Sequence, residues 1–120
     1  MRDTVKIDKR GVRLIAHRGL SGIEQENTCA AFVAAANRES YYGIETDVYR
    51  TSDGKYVLHH DDRVCTGAYI PETDFDTLRA VVMEDKDGRE RWDLRVPTLD
   101  EYVRICKNYG KVGVLEIKQP

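Results

Sequence analysis

Three short apolar segments of the sequence carry ionisable side chains near their ends. These side chains are His17 and Arg18 after the first segment, Glu45 and Asp47 in the second, and Glu116 and Lys118 in the third. Residues i and i+2 of a strand share a face, so the members of the second and third pairs project together. In parallel β/α architectures the carboxyl ends of the strands form the ligand-binding edge. The sequence therefore predicts one edge that gathers a histidine, an arginine, a lysine and carboxylates.

The residue types at this predicted edge indicate phosphate chemistry with a metal ion. Crowded carboxylates repel one another unless a cation lies among them, and an oxygen-only ligand set favours Mg²⁺ or Ca²⁺. Arg18 and Lys118 add positive charge of the kind that binds a phosphate group. Histidine is the side chain suited to proton transfer near neutral pH, so His17 and His60 could move protons on either side of that group. Together they predict metal-assisted phosphoryl chemistry.

Each feature also has an ordinary structural explanation when it is taken alone. Two carboxylates on one strand could form a solvated or salt-bridged face, and Glu116 with Lys118 could form an exposed ion pair. Of the adjacent His59 and His60, one must point away from any shared site. The functional interpretation is favoured because all three main strands present polar groups at the same end.

The elements that must position these residues alternate between strands and helices. Strands are predicted over residues 12–17, 44–49, 55–59 and 112–117, with a turn at 52–54 that makes the third strand a hairpin partner of the second. Residues 1–11 are charged and aperiodic, which is typical of a surface lead-in. This alternation favours an α/β fold built from parallel β/α units.

Three helices are predicted between these strands. The first begins after an N-cap at Asn27 or Thr28 and ends before Gly43. A short helix is predicted near residues 75–83, inside an irregular polar stretch. The third begins with a capping box at Thr98 and Glu101 and stops at Gly110.

Composition excludes several classes of protein. The chain has 120 residues, and its 19 Lys and Arg against 21 Asp and Glu give a formal charge of −2, which argues against a dedicated nucleic-acid binder. No apolar run approaches the roughly 18 residues of a membrane span, and the first residues lack a signal-peptide core, so we expect a cytoplasmic protein. The three cysteines show no paired spacing. We expect the cysteines and Trp92 to pack in the interior.

The motifs occur as ordered blocks. They are AHRG at 16–19, ENT at 26–28, ETDV at 45–48, HD at 60–61, VPTLDE at 96–101 and LEIK at 115–118. In this order they resemble the glycerophosphodiester phosphodiesterase family. The resemblance implies a TIM-type (β/α)8 barrel of roughly 250 residues. Residues 1–120 would be the N-terminal part of this single domain, with about the first three strands and an insertion at about 62–97 after strand 2.

The resemblance also implies an activity and a role for each matching residue. The family hydrolyses glycerophosphodiesters to glycerol 3-phosphate and an alcohol with one divalent cation, Ca²⁺ or Mg²⁺. Carried over by position, Glu45, Asp47 and Glu116 would be metal ligands, His17 and His60 the general acid and base, Arg18 and Lys118 the phosphate-binding residues, and Glu26 and Asn27 loop-shaping residues. The resemblance leaves open which histidine is the acid.

The sequence departs from the family pattern at two positions and leaves two alternatives. Gln25 stands where a proline usually precedes the ENT block, and Cys65 stands where a basic residue is common. One alternative is a non-catalytic metal-binding fragment that needs the missing barrel half or self-associates through an unfinished barrel edge. The other is a related phospholipase D-like enzyme acting on lysophospholipids. The expected partner is a small-molecule glycerophosphodiester, without nucleic acid or a transmembrane segment.

Overall fold

The chain folds as an α/β unit, as its alternating pattern predicts. The computed structural model describes residues 13–118, and the predicted lead-in at 1–11 lies outside this range. In chain order the elements are β1 (Leu14–His17), α1 (Cys29–Ala36), β2 (Tyr41–Arg50), β3 (Tyr56–Leu58), a 3-10 turn (Ile70–Glu72), α2 (Phe75–Arg79), α3 (Leu99–Tyr109) and β4 (Val112–Ile117). Within the described range, no helix is long and apolar enough to cross a membrane.

Strand β2 is the centre of the sheet. Strands β1 and β4 pair with it in parallel, and β3 pairs antiparallel with its last residues. Val48 pairs with both Leu58 and Ile117, so β3 and β4 lie on opposite sides of β2. The predicted parallel units and the predicted hairpin are both confirmed.

The strand register stacks the polar residues above an apolar layer on one face of the sheet. From the bottom upward, the layers are Ile15 with Gly43 and Val112, then His17 with Glu45 and Val114, then Asp47 with Glu116. Residues in register share a face, which we call the site face. The opposite face, which we call the helix face, is covered by α1 and α3.

The core of the unit lies between the helix face and the two longer helices. Ala16, Ile44 and Val48 of the strands are buried with Phe32 of α1 and Tyr102 of α3. The rings of Phe32 and Tyr102 meet edge to face, with centroids 5.1 Å apart, a favourable arrangement for aromatic pairs. Burial of these side chains fixes one face of β2 and leaves the other free for the site.

Gly43 is not the helix exit that the sequence predicts. Helix α1 ends at Ala36, and Gly43 lies inside β2. A Cβ atom at this position would lie 2.6 Å from the carbonyl oxygen of Val112 and 3.0 Å from Cδ1 of Ile15. The glycine is therefore required because the flanking strands approach closely. In the sequence alone, a glycine needed for such a contact looks the same as a glycine that ends a helix.

The local helix signals are confirmed where they are strongest. Of the two candidate N-caps of α1, Thr28 makes the cap. Both hydrogen bonds of the capping box between Thr98 and Glu101 are present, and Gly110 adopts a left-handed conformation with φ 67°. Helix α2 is shorter than predicted and ends at Arg79.

Residues 62–97 pack on the sheet around a second, smaller core. It contains Val57 and Tyr49 from the strands and Val64, Ile70 and Leu78 from this stretch. Two packing predictions fail here, because Trp92 is 79% exposed and Cys65 is also exposed. Their types suggested burial, but neither belongs to either apolar cluster.

Candidate active site

The three carboxylates converge at the upper end of the site face. One oxygen each from Glu45, Asp47 and Glu116 lies within 4.8 Å of the others. Asp47 is buried, Glu45 is half-buried and Glu116 is exposed, so the cluster opens to solvent on the β4 side. The structure thus brings together the acidic residues that the strand spacing predicts.

The electrostatics of this cluster fit a divalent cation. Burial, followed by the negative charge of Asp47, raises the pKa of Glu45, although a backbone hydrogen bond from Arg18 opposes the shift. Both causes disfavour the charged form of Glu45, and a cation among the carboxylates would favour it. The donor set contains oxygen only, which suits a hard ion such as Mg²⁺ or Ca²⁺.

Asp47 connects the carboxylate cluster to the nitrogen-bearing side chains around it. Its Oδ2 accepts a hydrogen bond from Asn27 Nδ2 at 2.9 Å and lies 3.6 Å from Arg18 Nε and 3.4 Å from His60 Nδ1. Its Oδ1 lies 3.7 Å from Lys118 Nζ. One oxygen therefore faces the protein, and the other faces the open side of the site.

Arg18 reaches the centre of the site because the chain makes a sharp turn after β1. Arg18 has φ 59° and Gly19 has φ 80°, and a Cβ on Gly19 would lie 2.7 Å from the backbone of Ala31. The turn directs the Arg18 amide to Glu45 Oε1 at 3.1 Å. Left-handed backbone is uncommon for a residue other than glycine and often marks a functional site.

The Arg18 guanidinium organises two of its neighbours. Nη1 donates to Glu26 Oε1 at 3.0 Å, and Nη2 lies 3.2 Å from His60 Nε2. Because a guanidinium can only donate, His60 Nε2 accepts, and its ring proton lies on Nδ1 facing Asp47. Among the described residues, Arg18 Nε and His60 Nδ1 are buried atoms without a hydrogen-bond partner. A bound oxyanion could satisfy the first of them.

The histidines occupy different environments. His17 is well exposed, with Nε2 at 3.8 Å from Glu45 Oε1. His60 is held over Asp47, and its carbonyl oxygen accepts a hydrogen bond from the Tyr49 hydroxyl at 3.1 Å. The His59 ring turns to the Asp61 carbonyl oxygen at 2.9 Å. As the sequence predicts, the two adjacent rings point in different directions, and only that of His60 faces Asp47.

Lys118 lies directly after β4. Its amide donates to the Val48 carbonyl oxygen at 3.0 Å, which extends the pairing with β2 by one residue. Its Nζ donates to Glu116 Oε2 at 3.1 Å, and this hydrogen bond raises the pKa of Lys118. The ammonium group therefore stays charged at the mouth of the site.

The loop before α1 contributes contacts that sequence reasoning missed. The Gln25 side chain donates to the Glu84 carbonyl oxygen at 3.1 Å, and Arg91 pairs with Glu24 at 3.0 Å. A proline at position 25 could not make the first contact. Thr46 Oγ1 donates to Asn27 Oδ1 at 2.8 Å. The sequence indicates this contact only by placing a hydroxyl on the buried face of a strand, where it needs a hydrogen-bond partner.

An open cavity of about 600 Å³ lies beside His60 and Glu26. Its other lining residues come from the loop before α1 and from residues 59–90, and they include Asp61, Cys65, Met83, Glu84 and Glu90. The two contacts from Glu24 and Gln25 hold this stretch against the loop. Asn27 and His60 line the cavity and also contact Asp47, so the cavity adjoins the carboxylate cluster.

Comparison with known proteins shows the family to which the chain belongs. Residues 17–120 match the model of the glycerophosphoryl diester phosphodiesterase family. The mouse glycerophosphodiester phosphodiesterase 1 is 35% identical over 113 residues, covering 89% of this chain and 34% of the relative. The glycerophosphodiester phosphodiesterase of Caldanaerobacter subterraneus subsp. tengcongensis is 34% identical over 109 residues, covering 88% and 44%.

Solved structures show the same likeness. An Oleispira antarctica phosphodiesterase in complex with the product sn-glycerol-3-phosphate is 30% identical, with a TM-score of 0.74 over 89% of this chain and 44% of that one. A Thermotoga maritima glycerophosphodiester phosphodiesterase is 28% identical, with a TM-score of 0.69 over 90% and 45%. The chain belongs to the glycerophosphoryl diester phosphodiesterase family. It spans less than half the length of each of these four relatives.

Proposed function

We propose that the protein is a divalent-metal-dependent hydrolase that cleaves glycerophosphodiesters to glycerol 3-phosphate and an alcohol. The observation that carries the proposal is the carboxylate cluster, with one oxygen each from Glu45, Asp47 and Glu116 within 4.8 Å of the others. Arg18 and Lys118 lie beside it at 3.6 Å and 3.7 Å from Asp47. Membership of the family and the product bound to the Oleispira relative support the choice of substrate.

The chain's own residues would bind and orient the phosphate. Glu45, Asp47 and Glu116 would hold a Ca²⁺ or Mg²⁺ ion, which supplies charge neutralisation and Lewis acidity when bound. Arg18 and Lys118 would donate to the non-bridging phosphate oxygens, since a guanidinium and an ammonium both bind such oxygens strongly. Glu26 would hold the Arg18 side chain in place through their 3.0 Å ion pair.

The two histidines would exchange the protons of the hydrolysis. A water oxygen bonds to phosphorus while the bond from phosphorus to the alcohol oxygen breaks. One imidazole takes the proton from the water, and the other gives a proton to the leaving alcohol. His60 suits either role only when it is released from Arg18, because its accepting nitrogen faces that guanidinium in the absence of substrate.

We also propose the setting of this site in the whole protein. Residues 1–120 would be the N-terminal part of one (β/α)8 barrel domain, with residues 62–97 as an insertion after the second barrel strand. The parallel pairing of β1, β2 and β4 supports this arrangement, as does the greater length of the relatives. The cavity beside His60 would receive the part of the substrate beyond the phosphate.

Product analysis tests the proposal. The full-length protein is incubated with glycerophosphocholine, glycerophosphoethanolamine or a lysophospholipid, with Ca²⁺ or Mg²⁺ and with or without a chelator. We expect glycerol 3-phosphate from the first two substrates, and we expect the chelator to abolish its release. Release of lysophosphatidate and the head-group alcohol from the lysophospholipid alone would assign the alternative activity. Failure to release products under every condition would refute the hydrolase function.

A further inference from the structure

A chain of hydrogen bonds runs from the helix face of β2 to the carboxylate cluster. Thr46 lies between Glu45 and Asp47 in β2, so its side chain points to the opposite face, where it is fully buried. Its hydroxyl donates to Asn27 Oδ1 at 2.8 Å, and Asn27 Nδ2 donates to Asp47 Oδ2 at 2.9 Å. A residue outside the site is thereby connected to a carboxylate inside it.

The donor and acceptor of each of these hydrogen bonds are fixed by the chemistry of the groups. The Asp47 carboxylate accepts, so Asn27 must direct its amide nitrogen to Asp47 and its amide oxygen to Thr46. Asn27 is buried and has φ 53°, a conformation held by the bond from its backbone amide to the Arg18 carbonyl oxygen at 2.9 Å. Without the Thr46 hydroxyl, the amide oxygen would be buried with no donor.

These hydrogen bonds determine the orientation of the Asp47 carboxylate. Because Oδ2 is engaged by Asn27, Oδ1 is the oxygen left to face Lys118 and the open side of the cluster. Hydrogen-bond partners behind a carboxylate commonly determine how well it binds a metal. We propose that Thr46 is a positioning residue for Asp47 and acts through the Asn27 amide. This inference rests on the metal site of the proposed function.

The affinity of the protein for Ca²⁺ and Mg²⁺, measured by isothermal titration calorimetry, tests the role of Thr46. We expect Thr46→Val to weaken binding by about 10-fold, because the shape is kept and the donor is lost. Thr46→Ser keeps the hydroxyl and should bind within about 2-fold of the original affinity, a difference of about 0.4 kcal/mol or less. If the valine variant does not fold, Thr46→Ala takes its place.

Thr51 provides a matched control. It is another buried threonine, just beyond β2, and its hydroxyl contacts Asp53 and the amide of Lys55 instead of the site. Thr51→Val should lower the thermal unfolding temperature and leave metal affinity unchanged. A Thr46→Val protein that loses stability but binds metal normally would show a purely structural role and overturn the proposal. Equal losses in the serine and valine variants would overturn it as well.

A double mutant identifies the route of the effect. In an Asn27→Ala background, adding Thr46→Val should weaken metal binding no further, because the connection is already broken. Additive losses would overturn the proposed route. Metal titration does not depend on turnover, so a protein that binds metal but hydrolyses nothing would refute the proposed activity and still test Thr46. Absence of metal binding in the original protein would overturn both.

Discussion

At the scale of single residues, the site gathers negative charge that the fold alone does not neutralise. Asp47 is buried, and the nearest atoms of Arg18 and Lys118 lie 3.6 Å and 3.7 Å from its oxygens. Glu45 has a raised pKa because of burial and the charge of Asp47. Such an arrangement is stabilised by a bound cation, so removal of one carboxylate should first lower the affinity for the metal.

Glu45→Gln should weaken Ca²⁺ or Mg²⁺ binding by at least about 10-fold, because the neutral amide removes one charged ligand from the cluster. Isothermal titration calorimetry measures the change. Glu39→Gln is the control, since Glu39 is an exposed glutamate just before β2, at the other end of the strand. Unchanged affinity in the Glu45 variant would remove Glu45 from the proposed ligand set.

The two histidines near Asp47 and Glu45 should affect turnover rather than metal binding. His17→Asn and His60→Asn should each lower kcat by roughly 10² to 10⁴, the usual effect of losing a general acid or base. His59→Asn should lower kcat far less than either variant and act mainly on KM, because the His59 ring contacts the Asp61 carbonyl oxygen and lines the cavity instead of facing Asp47.

The pH dependence of kcat/KM separates the two roles. The variant that lacks the base should lose the fall in rate at low pH, and the variant that lacks the acid should lose the fall at high pH. If His59→Asn lowered kcat as much as His60→Asn and altered the same limb of the pH profile, the assignment of the proton-transfer role to His60 rather than His59 would be wrong.

At the scale of elements, α3 fastens the strands that carry the site. The buried Tyr102 hydroxyl donates to the Ile44 carbonyl oxygen of β2 and accepts from the Val114 amide of β4 at 3.0 Å. A single side chain thus bridges the strands that hold Asp47 and Glu116. The capping box at Thr98 and Glu101 begins this helix, and Arg79 of α2 pairs with Glu101 at 2.7 Å.

The Arg79–Glu101 pair should contribute a pH-dependent part of the stability. Hydrogen bonds from Arg79 hold the pKa of Glu101 below its usual 4.5. The stabilisation is therefore complete above about pH 4.5 and is lost as the pH falls through the lowered value. Because both side chains are about one-third exposed, its size near neutral pH should be at most about 1 kcal/mol.

Urea unfolding between pH 3 and 7 measures this contribution. Glu101→Gln keeps an acceptor for the helix cap and removes the charge. The free energy of unfolding of this variant should therefore fall less between pH 7 and pH 3 than that of the original protein. Asp100→Asn, in the same helical turn and exposed, should leave the slope nearly unchanged. A Glu101→Gln protein with the original acid dependence would contradict the prediction.

At the scale of the whole molecule, the described residues leave one side of the sheet uncovered. All of β4 is exposed, including Val114 and Leu115, and within residues 13–118 it pairs with β2 alone. An exposed apolar edge strand is a template for pairing with another chain. In the proposed barrel, later strands would cover this edge.

The 120-residue polypeptide produced by itself should therefore self-associate. We expect light scattering coupled to size exclusion to show a mass that rises with concentration. Ile117→Lys, on the exposed end of β4, should reduce the association, because a charge on an edge strand opposes pairing. Val103→Lys, on the exposed surface of α3, serves as the control. A compact monomer at every concentration would contradict the prediction.

Local signals predicted much of this architecture. The capping box at Thr98, the left-handed Gly110 and the alternation that places Glu45 with Asp47 each depend on a few neighbouring residues, and the structure contains them all. The predicted helix stop at Gly43 is wrong, because this glycine is required by the close approach of β1 and β4. Trp92 is exposed although its type suggested a packing residue.

The amino-acid sequence by itself determined which residues reach the upper end of each strand, because side-chain alternation and strand ends are local properties. It also determined the types of group available there, and hence the expectation of a cation and a phosphate. The resemblance selects His60 rather than His59, but only the tertiary structure decided that the His60 ring faces Asp47 and that Asn27 joins Thr46 to Asp47. These choices depend on contacts between segments about 10 to 20 residues apart, which a local pattern does not encode.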